Sequence, residues 1–291
     1  MTRVAVIGSS GQLGSELVSV LRRTGSYEVI TLSHADVEVT DADSVRQALN
    51  SARAEVVVNS AAYVRVDEAE DHPEQALQVN TMGALYVARA SRAVDALCVY
   101  ISSDYVFDGR KGAPYTEEDV PRPINVYGMS KLAGELLVQQ AAGDWLIVRS
   151  ASLFGQTRSR GKGGNFVETI LAKAQLGGPI SVVHDVRMSP TYSLDLARGI
   201  ERLLRGRMKG VIHITNAGSA TWCEFARAAI DAVGLKVELQ PVTSQEYPTK
   251  ARRPADSRLS SVMRQPELPR WQDALREYLA KQGYRLVSGR R

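Results

Sequence analysis

The segment Val4-Ala-Val-Ile-Gly8-Ser-Ser-Gly11-Gln-Leu-Gly14 constrains this chain more than any other. A short apolar run ended by glycine reads as a buried parallel strand. Beyond it, Leu13, Leu17, Val20 and Leu21 fall on one side of a helix predicted over 13–23. Glycines between a strand and a helix let the backbone approach a pyrophosphate closely. The helix start then offers unpaired N–H groups and partial positive charge. A glycine pattern alone would serve equally as a tight structural turn. Its place at the head of an alternating chain points to a dinucleotide, with Gly8, Ser10, Gly11, Gln12, Leu13 and Gly14 as the expected contacts.

The alternation continues. Residues 28–32, 55–59, 97–103 and 145–149 are predicted strands. Helices are predicted over 43–49, capped by Asp41 or Asp43, and over 73–94 and 127–141. This pattern predicts an α/β fold, a Rossmann-type doubly wound parallel sheet covered on both faces. Ligands of such sheets sit at the carboxyl ends of strands, where Gly8, Asn59 to Ala62, Ser103 and Arg149 fall. After about residue 154 the rhythm loosens. Residues 158–164 read as a polar glycine-rich loop, 166–175 as a helix, 180–183 and 211–214 as strands, and 241–269 mostly as loop. The expected division is a dinucleotide-binding domain over 1–153, with returns near 184–208. A smaller, interleaved lobe over 154–291 would bind mainly substrate.

Composition removes several function classes. The chain has 291 residues, 44% of them hydrophobic, yet no apolar run long enough to cross a bilayer. Its first residues are apolar over too short a stretch for a signal peptide. Cys98 and Cys223 lie in apolar contexts and predict no disulfide, so a cytoplasmic location is expected. The net charge of +4 comes from scattered basic residues without a nucleic-acid module. A phosphate-bearing small substrate accounts for the same excess. His34, His72, His184 and His213 lack metal-ligand spacing, and His213 reads most simply as a strand residue.

Tyr127 and Lys131 are four apart at the start of a predicted helix and so share a face. A free phenol near pKa ~10 is a poor proton donor at neutral pH. A neighbouring ammonium would lower that value. Tyr127 could then give a proton to a nascent alkoxide while hydride arrives at carbon. Ser103, at a strand end, could polarise the carbonyl. The second strand ends at Leu32-Ser33-His34, without an acid for a ribose hydroxyl or an arginine for a phosphate. Ser33 tolerates a ribose phosphate, so NADPH is expected, with NADH as the alternative. Arg253 lies in a basic loop and is weighed as a ligand for substrate pyrophosphate against a surface ion pair. Asn165-Phe-Val could pack on the nucleotide base, or Phe166 could anchor a core.

Taken together these motifs resemble the extended short-chain dehydrogenases, and within them the dTDP-4-dehydrorhamnose reductase family. The resemblance runs nearly the whole length. It rests on Gly8-Ser-Ser-Gly-Gln-Leu-Gly14, Asn59-Ser-Ala-Ala-Tyr63, Val66-Asp-Glu-Ala-Glu70 and Ser102-Ser-Asp-Tyr-Val-Phe-Asp-Gly109. It continues with Tyr127-Gly-Met-Ser-Lys-Leu-Ala-Gly-Glu135, Ser189-Pro-Thr-Tyr192 and Arg253-Pro-Ala-Asp-Ser-Arg-Leu259. The resemblance implies NADPH-dependent reduction of a nucleotide-linked 4-keto-6-deoxy sugar, most simply dTDP-4-dehydro-L-rhamnose to dTDP-L-rhamnose. It implies Ser103, Tyr127 and Lys131 as catalytic groups, and Glu38 and Val39 beside the adenine. Ala61 and Ala62 would line the cofactor, and Asp104 and Tyr105 would face the sugar. Ser152 stands where the family has a tryptophan that helps to bind the sugar, which opens the reading of another ketosugar nucleotide. A further alternative is a non-catalytic dinucleotide-binding subunit resembling the regulatory subunit of methionine adenosyltransferase. Glu16 matches one acidic position of the family's metal-bridged dimer without its partners, so no metal is expected. The assembly considered is a homodimer, with no nucleic-acid or membrane partner.

Overall fold

The computed structural model describes residues 1–156, 164–263 and 267–287. The predicted glycine-rich loop, except Gly164, lies outside them. In chain order the elements are β1 (Thr2–Ile7), α1 (Gln12–Arg23), β2 (Tyr27–Leu32), α2 (Ala42–Ala52), β3 (Val56–Asn59), α3 (Val66–Asp71) and α4 (Pro73–Leu77). A π-helical turn (Gln78–Met82) joins α4 to α5 (Gly83–Ala93). There follow β4 (Leu97–Ser103), a 3₁₀ turn (Asp104–Val106), α6 (Val126–Ala141), β5 (Trp145–Ser150), β6 (Leu153–Phe154) and α7 (Phe166–Leu176). The remainder comprises β7 (Ile180–Val183), β8 (Arg187–Met188), β9 (Thr191–Tyr192), α8 (Ser193–Arg205), β10 (Gly210–His213), β11 (Ala220–Thr221), α9 (Trp222–Ala232), β12 (Leu239–Val242) and α10 (Trp271–Lys281).

Six strands form one sheet in the order β10-β5-β4-β3-β1-β2, every pairing parallel. Side chains alternate between its faces as strand geometry requires. Val4 and Val6 face Leu17 and Leu21 of α1 and Leu196 and Ile200 of α8. Ala5 and Ile7 face Val45 and Leu49 of α2 and Val87 and Ala88 of α5. Burial on both sides explains why the strands read as continuous apolar runs. The strand order reverses between β1 and β3, which opens a crevice at their carboxyl ends.

A second core lies apart from the sheet. Phe154, Val167, Leu171, Met188, Tyr192, Phe225, Trp271, Leu275 and Tyr278 pack together under α7, α9 and α10. Phe166 is a core anchor here: its ring is 4.7 Å from Trp222 and stacks on Phe225 at 5.7 Å. β10 belongs to the main sheet, so the chain's return to it reaches His213, beyond the expected 208. The predicted helix over 73–94 is divided by the π turn. Asp41, not Asp43, caps α2, accepting from the amides of Asp43 and Ser44.

Asn165 ties α7, the end of β6 and α10 together within the second core. Its Oδ1 caps α7 at Glu168 N (3.1 Å), and its Nδ2 donates to Gly155 O (2.7 Å) and Tyr278 Oη (2.8 Å). Asn165→Ala removes the cap and leaves buried acceptors unpaired. We expect a loss of about 2–3 kcal/mol in urea unfolding. A change within experimental error would contradict this account.

Candidate active site

Gly8 closes β1 at φ +75°, a conformation that side chains rarely adopt. A Cβ on Gly14 would lie 2.1 Å from Gly8 O, and one on Gly8 would lie 2.9 Å from Ala61 N. The loop is therefore pressed against both the start of α1 and the end of β3. Gly11 caps α1 without a side-chain bond, and the first turn carries no acidic residue. The first amides of α1 thus face the crevice as an anion-binding end. Gln12 Nε2 is buried and has no hydrogen-bond partner among the described residues. An uncapped helix start, a cradle too tight for side chains and an orphaned donor together fit a dinucleotide pyrophosphate. Leu13 contributes its backbone only, since its side chain is in the core. Ser10 is exposed at the loop tip, and Ala61 and Ala62 follow β3 at the crevice.

The strand-end reading of β2 needs correction. Ser33 N and Oγ both donate to Asp36 Oδ2, at 2.8 and 2.6 Å. A carboxylate therefore stands beside Ser33 after all, brought back by a turn that strand-end reasoning overlooks. Glu38 Oε1 accepts from Thr40 N (2.9 Å) and Oγ1 (2.7 Å), and Val39 is buried beneath Gly83. Exposed His34 pairs with Glu38 at 3.5 Å.

At the other side of the crevice, β4 delivers Ser103 and the 3₁₀ turn delivers Asp104 and Tyr105. Ser103 Oγ donates to Asp104 Oδ1 (2.9 Å) and accepts from Tyr105 N (3.2 Å). The Tyr105 and Tyr127 rings meet edge-on at 5.9 Å. α6 packs so tightly on this turn that a Cβ on Gly128 would lie 2.0 Å from Tyr105 O. One turn further along α6, Lys131 is 1% exposed, and its Nζ lies 4.1 Å from the centre of the Tyr100 ring. Ser103, Asp104, Tyr105, Tyr127 and Lys131 thus come together.

Their electrostatics differ from the sequence expectation. Burial, reinforced by Asp104, pushes the Tyr127 phenol up to about 12, and the neighbouring Ser103 hydroxyl only partly offsets this. Burial also pushes the Lys131 amine down to about 7, with the Glu135 carboxylate acting in the opposite sense. Asp104 is raised to about 6 by burial, against the hydrogen bonds of Ser257 and Ser103. The low-dielectric surroundings outweigh the ammonium that was expected to acidify the phenol. At neutral pH Tyr127 is accordingly a protonated donor.

Arg253 is held by an acid. Its Nη1 and Nη2 donate to Asp67 Oδ1 (2.9 Å) and Oδ2 (2.7 Å), while its guanidinium also contacts Tyr105. Both the ion pair weighed in the sequence and a place beside the site residues are present. Asp67, Asn80 and Glu135 were not anticipated as site residues. Asn80, at the centre of the π turn, bonds Tyr63 N, Tyr63 O and Ser130 Oγ through its side chain, and its carbonyl accepts from Tyr100 Oη. In the sequence Glu135 is marked by its place four residues after Lys131, at the end of the Tyr127–Glu135 segment that carries the resemblance.

A doubly wound sheet with a phosphate-sized cradle at its switch point, and a buried tyrosine–lysine pair beside it, is the frame of a dinucleotide-dependent reductase. Residues 2–283 match the family described as the RmlD substrate binding domain. The chain is 40% identical over 282 residues to the spore coat polysaccharide biosynthesis protein SpsK of Bacillus subtilis, covering 96% of this chain and 97% of that protein. It is 39% identical over 233 residues to the dTDP-4-keto-6-deoxy-D-glucose reductase of Streptomyces niveus, covering 80% and 79%. The dTDP-4-dehydrorhamnose reductase of Bacillus anthracis, solved in complex with NADP, superposes with a TM-score of 0.91 at 35% identity, covering 97% of this chain and 100% of that one. The chain belongs to the dTDP-4-dehydrorhamnose reductase family.

The depressed amine has a consequence for stability. Below about pH 7 the folded protein must bury a charged Lys131, whereas the unfolded chain holds its proton up to about 10.5. The unfolded state binds more protons between these values, so the lysine's contribution to stability rises with pH across that window. We predict that Lys131→Met raises the melting temperature by several degrees at pH 7, with a gain that shrinks toward pH 10. A gain independent of pH would contradict this electrostatic origin.

Proposed function

We propose that this enzyme uses NADPH to reduce the C4 ketone of dTDP-4-dehydro-L-rhamnose to dTDP-L-rhamnose. The observation that carries the reading is the convergence of Ser103, Tyr127 and Lys131 beside the glycine cradle. Gly8, Gly11, Gln12 and Gly14 would hold the pyrophosphate, and Ser33, Glu38, Val39, Ala61 and Ala62 the adenosine side. When bound, the reduced nicotinamide supplies hydride to the carbonyl carbon. Ser103 donates a hydrogen bond to the ketone oxygen, and Tyr127 gives that oxygen its proton. The Lys131 ammonium stabilises the phenolate this leaves, until solvent returns its proton, and holds the nicotinamide ribose. Asp104 and Tyr105 face the sugar, and Arg253 takes the diphosphate. Residues 1–153 with the later return strand serve the cofactor, and most of 154–291 serves the substrate.

Among the described residues no helix is long and apolar enough to cross a membrane. This is compatible with a free nucleotide sugar as partner and with work in the cytoplasm. Exposed Met129 and Leu136, seven apart on α6, support a homodimer. Asp36 beside Ser33 supports some use of NADH as well. A second reading, reduction of a different ketosugar nucleotide, is favoured by Ser152, which turns the chain after β5 at φ +44° where an aromatic wall would stand.

A panel of dTDP-, GDP- and UDP-linked ketosugars, followed by nicotinamide absorbance, separates these readings. Turnover of dTDP-4-dehydro-L-rhamnose supports the first, turnover of another sugar alone the second. NADPH binding without any turnover points to a binding subunit. Tyr127→Phe should lower kcat by roughly 10²–10⁴-fold, the range for loss of a general acid, with NADPH affinity unchanged. A rate near that of the parent enzyme would remove the phenol from the mechanism.

A further inference from the structure

A line of buried polar groups leads from Lys131 along one face of the sheet toward its β10 edge. Glu135, one helical turn along α6, is 0% exposed. Arg149 of β5 donates from Nη2 to its Oε2 (2.6 Å) and from Nε to its Oε1 (2.9 Å). Ser102 of β4 donates to Oε1 as well, at 2.5 Å. Behind Arg149, Nη1 lies 3.4 Å from His213 Nε2. The same ring places Nδ1 2.9 Å from Ser260 O and 3.2 Å from Tyr115 O, so Nδ1 carries the proton and Nε2 accepts.

A paired buried charge is a costly way to join a helix to a strand, because an apolar pair of similar volume would do so without desolvation. What Glu135 adds beyond its bond to Arg149 is a carboxylate one helical turn from Lys131 on the same buried face of α6, where its charge favours the ammonium against burial. We propose that Glu135 is a positioning residue for Lys131, its carboxylate, clamped by Arg149 and Ser102, serving as the counter-charge that keeps the buried amine protonated against the Tyr100 ring. This rests on the reading of Lys131 as the ammonium of the reductase site.

The other groups around Lys131 do not duplicate that role. On α6 itself Tyr127 is neutral, held up by burial. β4 presents Tyr100, raised well above the ordinary phenol value by burial, and behind it Cys98, a thiol raised to about 12. The 3₁₀ turn brings Asp104, raised to about 6 and engaged with Ser103. From α3, Glu70 is spent on Val126 N at the helix start (2.9 Å). The π turn brings neutral Asn80, α4 carries Glu74 on the surface, and α5 carries Arg89 and Arg92 in a surface groove. β5 brings Arg149, a positive charge like that of Lys131, which Glu135 answers.

The test follows NADPH affinity by fluorescence, and kcat/KM for the ketosugar, against pH. In the parent enzyme both should fall on the alkaline side as Lys131 loses its proton, and Lys131→Met should abolish that fall. Glu135→Gln should move its midpoint about one unit toward acid, a roughly tenfold loss just above the original midpoint that recovers at lower pH. A uniform loss with an unmoved midpoint would describe a merely structural residue and overturn the proposal. If Glu135→Gln leaves Arg149 unpaired and does not fold, the double variant Glu135→Gln/Arg149→Met removes both charges. It should show a smaller displacement in the same direction, and an unmoved midpoint overturns the proposal equally. A displaced midpoint for NADPH binding, in a protein that turns over no ketosugar, would sink the reductase reading and leave this one standing. Normal ketosugar turnover with a midpoint indifferent to Glu135 would do the reverse.

Discussion

The site is organised around an amine that has been taken almost wholly out of water. Lys131 is 1% exposed, and a charge in that position is tolerable only where aromatic and carboxylate groups replace its hydration. Tyr100 supplies the ring face and Glu135 the charge. Each of these is itself constrained: Tyr100 Oη donates to Asn80 O at 2.8 Å, and Glu135 is gripped by Arg149 and Ser102. Accommodating one ammonium has fixed side chains on β4, β5, α6 and the π turn. Gly134 belongs to the same arrangement, since a Cβ there would lie 2.4 Å from Asn80 O and 2.6 Å from Tyr100 Oη. The stretch from Tyr127 to Glu135 is thus constrained by packing at its glycines and by electrostatics at its ionisable groups.

The elements most legible in the sequence are those whose signal is local. β1, α1 and the intervening glycines could be read because apolar periodicity and a positive φ leave direct marks on composition. Tyr127 and Lys131 could be paired because helical spacing fixes their relation. The π turn could not be read, since residues 78–82 carry the periodicity of a continuous helix and the extra residue per turn is imposed by packing against α6. α8, α9 and α10 were overlooked although α8 is strongly amphipathic, its Leu196, Ile200 and Leu203 being fully buried against the sheet. Past residue 154 the helices no longer alternate with long strands, so the flanking pattern does not mark them out. Four two-residue strands, β6, β8, β9 and β11, are too short for any periodicity to register.

Electrostatic roles were the least legible. Spacing places an ammonium near a phenol, but it does not reveal how much water reaches either. Burial, which sets the direction at both Tyr127 and Lys131, is a property of the whole packed crevice. The carboxylates beside Ser33 and Arg253 raise the same problem. Asp36 returns through a turn three residues after Ser33, and Asp67 reaches Arg253 across 186 positions of sequence. The first could be found by looking past the strand end for an Asp–Ser turn, whereas the second required the fold.

Those long-range carboxylates also bind the proposed substrate segment to the proposed proton donor. Asp67 Oδ1 accepts from Ala251 N (3.0 Å) as well as from Arg253, and Asn125, which caps α6 through Gly128 N (2.7 Å), donates from Nδ2 to Arg252 O (2.8 Å). Glu70 of the same acidic helix accepts from Val126 N. The helix that aims Tyr127 and the loop that carries Arg253 therefore share both a cap and a set of carboxylates. On the opposite side Gly109, at φ +77°, lets the loop pass so closely that a Cβ would lie 2.6 Å from Ala255 N. A displacement of the loop cannot leave the start of α6 where it was without breaking the Asn125 bond. The placement of Arg253, proposed to take the diphosphate, and the orientation of the phenol are consequently one mechanical problem, and a sequence that solves it must place acids on α3 as carefully as it places the tyrosine on α6.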